Sequence, residues 1–315
     1  MIRPVPLISF LVIAAVATIV LCTFTGPAGF GVVSPGSGCP DIIGSIRLPR
    51  VLAAFFVGAG LAVAGAAMQS LFRNPMADPY ILGTSSGGAL GASIALVFLG
   101  GFFVPLFAWT GAVAAILVVW LVAGRRGVVP VETLLLTGIA VSFFCSAIVS
   151  FLISRAGRNV HQILFWLMGG FWNASPSDAI LAAALLVPAG LLLVFMSRDL
   201  NALSLGEETA FHLGIDAARV RQLVLGGSTL LVAGAVSIAG SIGFVGLVTP
   251  HVIRTVTGPD NCIVIPASIF GGGILLVLAD TLARTFFSDL PVGIITAFIG
   301  APFFVWQIYR RESTA

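Results

Sequence analysis

The chain contains no lysine: all 15 of its basic residues are arginine. A Walker A phosphate loop needs a lysine at the nucleotide phosphates, and a Schiff-base enzyme needs one as nucleophile. Neither chemistry therefore belongs to this chain. Any energy drawn from a nucleotide must enter through another polypeptide. Charge of either sign is scarce, at 9% of residues against about 25% in soluble domains.

Other reactive groups are thinly spread. The four cysteines, Cys22, Cys39, Cys145 and Cys262, form no C-x-x-C pair, and His161, His212 and His251 lie far apart. That spacing indicates no metal site. No paired carboxylates, histidine cluster or nucleophile–base arrangement points to a membrane-embedded enzyme, and no cofactor is indicated. An ion-coupled secondary transporter would carry ionisable residues inside its spans. Here Glu132 and Asp280 lie near span ends and Gln69 is uncharged, which argues against that mechanism.

Apolar sequence fills the rest. The chain is 58% apolar, with a mean hydropathy of +1.12. Runs of about 18 to 22 residues recur along it, each long enough to cross a bilayer core of about 30 Å. They do not alternate as barrel strands would, so the expected fold is an all-α integral membrane protein. About ten transmembrane helices are expected, near 6–26, 48–71, 81–100, 104–124, 132–154, 178–197, 221–240, 243–257, 262–283 and 292–309. The first could pass for a signal peptide, but no A-x-A site follows cleanly, and a retained helix is expected. The eighth carries Gly243, Gly246 and Pro250, which predicts a broken or shallow helix buried in protein.

Arginine placement sets the orientation. With the N-terminus inside, Arg3, Arg73, Arg125, Arg126, Arg198, Arg219, Arg221, Arg254, Arg310 and Arg311 lie at cytoplasmic ends. Arg47, Arg50, Arg155, Arg158 and Arg284 lie outside, and ten against five favours cytoplasmic N- and C-termini. "LAVAGA" at 61–66 and "LLVAGA" at 230–235 then run in opposite directions, as in an inverted repeat. Gly83, Gly87 and Gly91, at four-residue spacing, predict one helix face for close packing.

One stretch, "LSLGEETAFHLGIDAARVRQ" from Leu203 to Gln222, is too polar to cross lipid. Ser204 and Glu207 have the spacing of a capping box, which predicts a helix start. Gly214 can end that helix in the left-handed conformation, and Asp216 can cap the next. Two short helices with a glycine corner are expected beneath the membrane, as a docking surface for a cytoplasmic partner.

Several blocks in order carry a family resemblance. They are "RLPRVLAAFFVGAGLAVAGAAMQSLFRNPMADPYILGTSSGGALG" (47–91), "LFWLMGGFW" (164–172), "LSLGEETAFHLGI" (203–215), "GFVGLVTPHVIR" (243–254) and "LPVGIITAFIGAPFFVW" (290–306). The chain resembles the permease subunits of type II ATP-binding-cassette importers, the iron–siderophore, haem and vitamin B12 class, over nearly its full length. The resemblance implies a single permease domain, 1–315, in the cell membrane, with coupling helices at about 201–220. It implies a homodimer surrounded by lipid, two cytoplasmic ATPase subunits and an extracytoplasmic substrate-binding protein, with no nucleic acid.

Site residues carry over from the same blocks. The ATPase would meet Ser204, Gly206, Glu207, Glu208, Phe211, Leu213 and Gly214. Asn74 and Met76, in "RNPMADP", would form a cytoplasmic gate, with Val131 and Thr133 as a second constriction beside an unusual Pro130. On physical grounds alone Asn74-Pro75 is a turn signal. Arg47, Arg50 and Arg284 would receive glutamates of the binding protein, or anchor lipid headgroups. Asp280, four residues before Arg284, would partly neutralise it. The expected cargo is a ferric siderophore, then a corrinoid, then haem, with oxyanions left open.

Overall fold

The computed structural model describes residues 4–26, 29–30, 42–123, 131–172 and 174–312. Expectations placed on Arg3, Cys39, Arg125, Arg126 and Pro130, and on the side chains of Val131, Arg158, Arg310 and Arg311, fall outside the described residues.

Helices account for almost all of it. In chain order they are α1 (Pro4–Phe24), α2 (Leu48–Leu71), α3 (Thr84–Phe98), α4 (Val104–Ala123), α5 (Val131–Arg155), α6 (Val160–Met168) and α7 (Pro176–Phe195). Then come α8 (Ser197–Leu205), α9 (Glu207–His212), α10 (Ala217–Ala239), α11 (Val245–Thr257), α12 (Asn261–Phe286) and α13 (Val292–Glu312). A π-turn, Ile43–Arg47, leads into α2. Among the described residues seven helices, α1, α2, α4, α5, α7, α10 and α12, are long and apolar enough to span a membrane.

Each of the ten expected spans contains a helix, but two fall short. The helix α3 has 15 residues and α11 has 13, whereas α13 has 21. Both α3 and α11 are shortened where irregular backbone precedes them, at 72–83 and at 240–244. Such backbone survives in a membrane only when buried in protein and internally bonded. Helices α6 and α8, of nine residues each, were not among the expected spans because neither is long enough to cross.

The centre of the bundle is α2, buried over most of its length, with α10 beside it. Around α2 pack α12, α10, α7 and α11; α3, α4 and α5 form a neighbouring layer, which α10 joins through α4. The outer helices show large apolar side chains such as Phe10, Ile13, Leu106, Leu121 and Phe143, as lipid requires.

Helices meet here through small residues rather than interlocked large ones. A methyl group at Gly58 (α2) would collide with the carbonyl of Gly272 (α12), and one at Gly272 with that of Gly58. Gly87 (α3) and Gly111 (α4) have the same reciprocal relation. Lipid offers no hydrophobic drive for association, so close backbone contact and dispersion supply the stability. The glycine row expected at 83, 87 and 91 is therefore a packing face at Gly87 and Gly91, whereas Gly83 (φ 83°) is the left-handed residue that starts α3.

Candidate functional site

The polar stretch folds as the end of α8, the short helix α9 and the start of α10, with a positive-φ glycine at each corner. The helix α8 continues the chain after α7 and buries Leu200, Ala202 and Leu203. Gly206 ends it with φ 131° and ψ 150°, a conformation essentially restricted to glycine. The next residues, Glu207 and Glu208, stand in the first turn of α9, where the helix dipole favours acids.

The capping box expected at Ser204 and Glu207 does not form. Ser204 lies inside α8 and its hydroxyl donates to Leu200 O at 2.8 Å. The burial of Leu200 and Leu203 extends α8 past the serine, so Gly206 becomes the cap. A capping box does occur at Ser175 and Asp178, at the start of α7.

The glycine corner lies where the sequence puts it. Gly214 has φ 76°, and Ile215 N–H returns to Ala210 O at 3.0 Å. Asp216 caps α10 by accepting from Arg219 N–H at 3.1 Å. Ala210 is fully buried and pins α9, while Glu207 pairs with Arg221 on α10. Leu205, Phe211 and Leu213 are 72%, 76% and 62% exposed. Three large exposed apolar groups within nine residues, close in sequence to Glu207 and Glu208, are of the kind that meets protein. Leu205 was not singled out in the sequence.

The loop between α2 and α3 is tightly bonded. Asn74 Oδ1 accepts from Met76 N–H at 2.9 Å, which is the turn the sequence signals. Asn74 is exposed and Met76 half-buried. Asp78 Oδ1 accepts from Tyr80 N–H at 2.8 Å, and Tyr80 OH donates to Ile242 O at 3.1 Å. Burial pushes the Asp78 carboxyl up, and the Tyr80 N–H partly opposes it. Val131 opens α5, and Thr133 is half-buried in its first turn. Its neighbour Leu134 packs with Met68 and Leu82, so the start of α5 abuts this loop.

The break at 240–244 is the second irregular element. Gly240 (φ 70°) and Phe244 (φ 69°) bracket it, so the break begins ahead of the glycine–proline signals in the sequence. Polar groups in and beside it are met from elsewhere in the bundle: Gly170 N–H, just past α6, donates to Ala239 O at 2.8 Å, and Ser85 and Ser241 hydroxyls lie 2.8 Å apart. Beside it a cavity of about 390 Å³ is lined by Leu167, Met168, Ser241, Gly293, Ala297 and Phe298.

At the opposite end of α2 the three arginines come together but are buried, at 8%, 8% and 7% exposure for Arg47, Arg50 and Arg284. Arg50 donates from Nε and Nη2 to Asp280 at 2.8–3.0 Å, and from Nη2 to Asp289 Oδ1 at 2.6 Å. Arg284 donates to Cys22 O, and Arg47 reaches Phe24 O at 3.5 Å. Asp280 is thus primarily the partner of Arg50, its distance to Arg284 being 3.9 Å. The expected Asp280–Arg284 neutralisation is the weaker of its two contacts.

Comparison with known proteins gives this architecture its place. The FecCD transport family matches residues 7–310. The cobalamin import system permease protein BtuC of Halobacterium salinarum is 43% identical over 93% of this chain and 79% of its own. The hemin transport system permease protein HmuU of Yersinia pestis is 40% identical over 85% of this chain and 83% of its own. A solved metal-chelate-type ABC transporter in an inward-facing conformation superposes with a TM-score of 0.88 at 33% identity, over 96% of this chain and 98% of its own. The chain belongs to the FecCD transport family, as a multi-pass membrane permease subunit of an ABC importer that is not itself an ATPase.

Proposed function

We propose that this permease carries a corrinoid of the cobalamin class from a substrate-binding protein to the cytoplasm. The observation that carries this reading is the 43% identity with a cobalamin import permease across 93% of the chain. It displaces the ferric siderophore expected from sequence. Haemin is the second reading, supported by the 40% identity with a hemin permease.

The parts divide as follows. The exposed patch of Leu205, Phe211 and Leu213, with Gly206, Glu207, Glu208 and Gly214 shaping it and Ser204 in the last turn of α8, receives the ATPase. Asn74, Met76, Val131 and Thr133 close the cytoplasmic side of a passage between two copies of the chain. The end carrying Arg47, Arg50 and Arg284 faces the binding protein. In this cluster three arginines face Asp280 and Asp289, an excess of one positive charge that favours an acidic partner. ATP closes the ATPase pair, α9 follows, and the cytoplasmic gate changes state.

Uptake into proteoliposomes, with the permease joined to its ATPase and binding protein, tests the cargo. Labelled cyanocobalamin should accumulate with ATP, and ferric siderophore should not. Accumulation of haemin without cyanocobalamin would replace the first reading by the second.

A further inference from the structure

The inner ends of four helices are joined by a chain of hydrogen bonds that belongs neither to the gate loop nor to the exposed patch on α9. Asn201, on α8, donates from Nδ2 to Asp260 Oδ1 at 2.7 Å and accepts Asn261 N–H at 2.8 Å. Asn261, 1% exposed at the start of α12, accepts the Ser70 hydroxyl at 2.6 Å. Ser70 lies in the last turn of α2 and also accepts Arg254 Nη2, from α11, at 2.7 Å. A second strap runs in parallel: Arg73 Nη2, just past α2, donates to Leu203 O of α8 at 2.6 Å.

The chemistry exceeds what local capping needs. Asp260 already caps α12 through Cys262 N–H at 2.9 Å, without Asn201. An amide withdrawn from water costs stability unless both its ends are bonded. Asn201, half-buried, has both ends bonded, one to a side chain and one to backbone, which fixes its direction as well as its distance. Both straps join the helix that leads into α9 to the end of α2 that leads into the Asn74–Met76 loop. Hydrogen bonds of this kind have discrete made and broken states, unlike a greasy contact that slides.

We infer that Asn201, Asn261, Ser70 and Arg73 form a link that carries displacement of α8 and α9 to the gate loop. This rests on the reading that α9 receives the ATPase. These are positioning residues; none touches cargo or nucleotide. When α8 moves, the end of α2 and the loop beyond it move with it.

The test uses the assembled complex with an environment-sensitive fluorophore on Met76→Cys, the native cysteines being replaced. It needs no cargo. In the parent, ATP should shift the probe signal. Asn201→Asp sets two carboxylates against each other at Asp260 and should reduce that shift about tenfold, with ATP hydrolysis within about twofold of the parent. The double variant Asn201→Asp with Asp260→Asn removes the like-charge repulsion, supplies an Nδ2 donor toward position 201 at the expense of the Cys262 cap, retains the bond to Asn261 N–H, and should restore the shift. A purely structural role would lower hydrolysis, thermal stability and probe response together, and that result overturns the link. A full probe response in Asn201→Asp overturns it as well. If the complex with Phe211→Asp still assembles and hydrolyses normally, the reading of α9 fails, and the link falls with it. If α9 behaves as expected but the parent probe ignores nucleotide, the gate reading fails instead, taking the link's destination away.

Discussion

Arg50 and Asp280 stand 230 residues apart and meet as a bidentate pair, with Asp280 only 1% exposed. The pair ties the first turn of α2 to the last turns of α12, and Asp289 closes over its outer side. Desolvating both charges offsets much of their attraction, so the pair is poor evidence of net stability. Breaking it is another matter. Asp280→Asn should cost about 3–5 kcal/mol, because it weakens the main partner of a buried guanidinium. Arg50→Met combined with Asp280→Leu should cost far less than either single change. Thermal unfolding in detergent separates the two cases, and a double-variant loss equal to the sum of the two single losses would show that the pair is not coupled. Charge reversal at Arg50 would consequently report on folding before it reported on docking.

The carboxyl of Asp78 gives a pH signature. Burial raises its folded value, so the protonated form is favoured in the folded state. Stability from that preference is full at low pH and lost as pH rises through the raised value. Asp78→Asn keeps an oxygen to accept Tyr80 N–H and removes the charge. The melting temperature should rise at neutral pH, with the gain fading near about pH 4, where the parent is itself protonated. A gain of equal size at both pH values would assign the effect to something other than ionisation.

Glycine positions of the same type should respond oppositely. Gly87→Ala drives a methyl into the Gly111 backbone and should cost about 1–3 kcal/mol. Gly226, inside α10, has open space within 4 Å of the point a methyl carbon would occupy. Gly226→Ala should therefore gain up to about 1 kcal/mol from helix propensity. Unfolding midpoints of both variants decide it. Equal effects would mean that backbone approach between α3 and α4 is not what Gly87 serves.

The contrast also marks what a sequence can reveal. Ten apolar runs were legible because length and hydropathy are local properties, and so was the corner at Gly214 with the cap at Asp216. The break before α11 was legible in kind, since Gly243, Gly246 and Pro250 weaken a helix, although the backbone turns at Gly240 and Phe244. Short helices such as α6 and α8 left no span-length signal. Ser204 and Glu207 misled because their spacing is common, and the burial of Leu200 and Leu203 decided the helix end instead. Partnerships across the bundle, Arg50 with Asp280 or Asn201 with Asn261, depend on packing that no local pattern encodes.

Gly214 offers the cleanest test of the ATPase surface. Its φ is 76°, yet no atom lies within 4 Å of where a methyl would stand. Any penalty on substitution is therefore conformational and not a clash. A β-branched residue pays about 1–2 kcal/mol or more in that region, while asparagine visits it readily. Gly214→Val should consequently loosen the corner that orients α9, displacing Phe211 and Leu213 from their common patch. Gly214→Asn should leave both in place. The permease should insert normally in either case, since α10 remains capped by Asp216. Binding of the purified ATPase should weaken about tenfold for Gly214→Val and stay within about twofold for Gly214→Asn, a gap of about 1.4 kcal/mol in binding free energy. Equal weakening by both would mean that the corner is a contact point rather than a hinge for orientation, and equal binding by both would remove α9 from the interface.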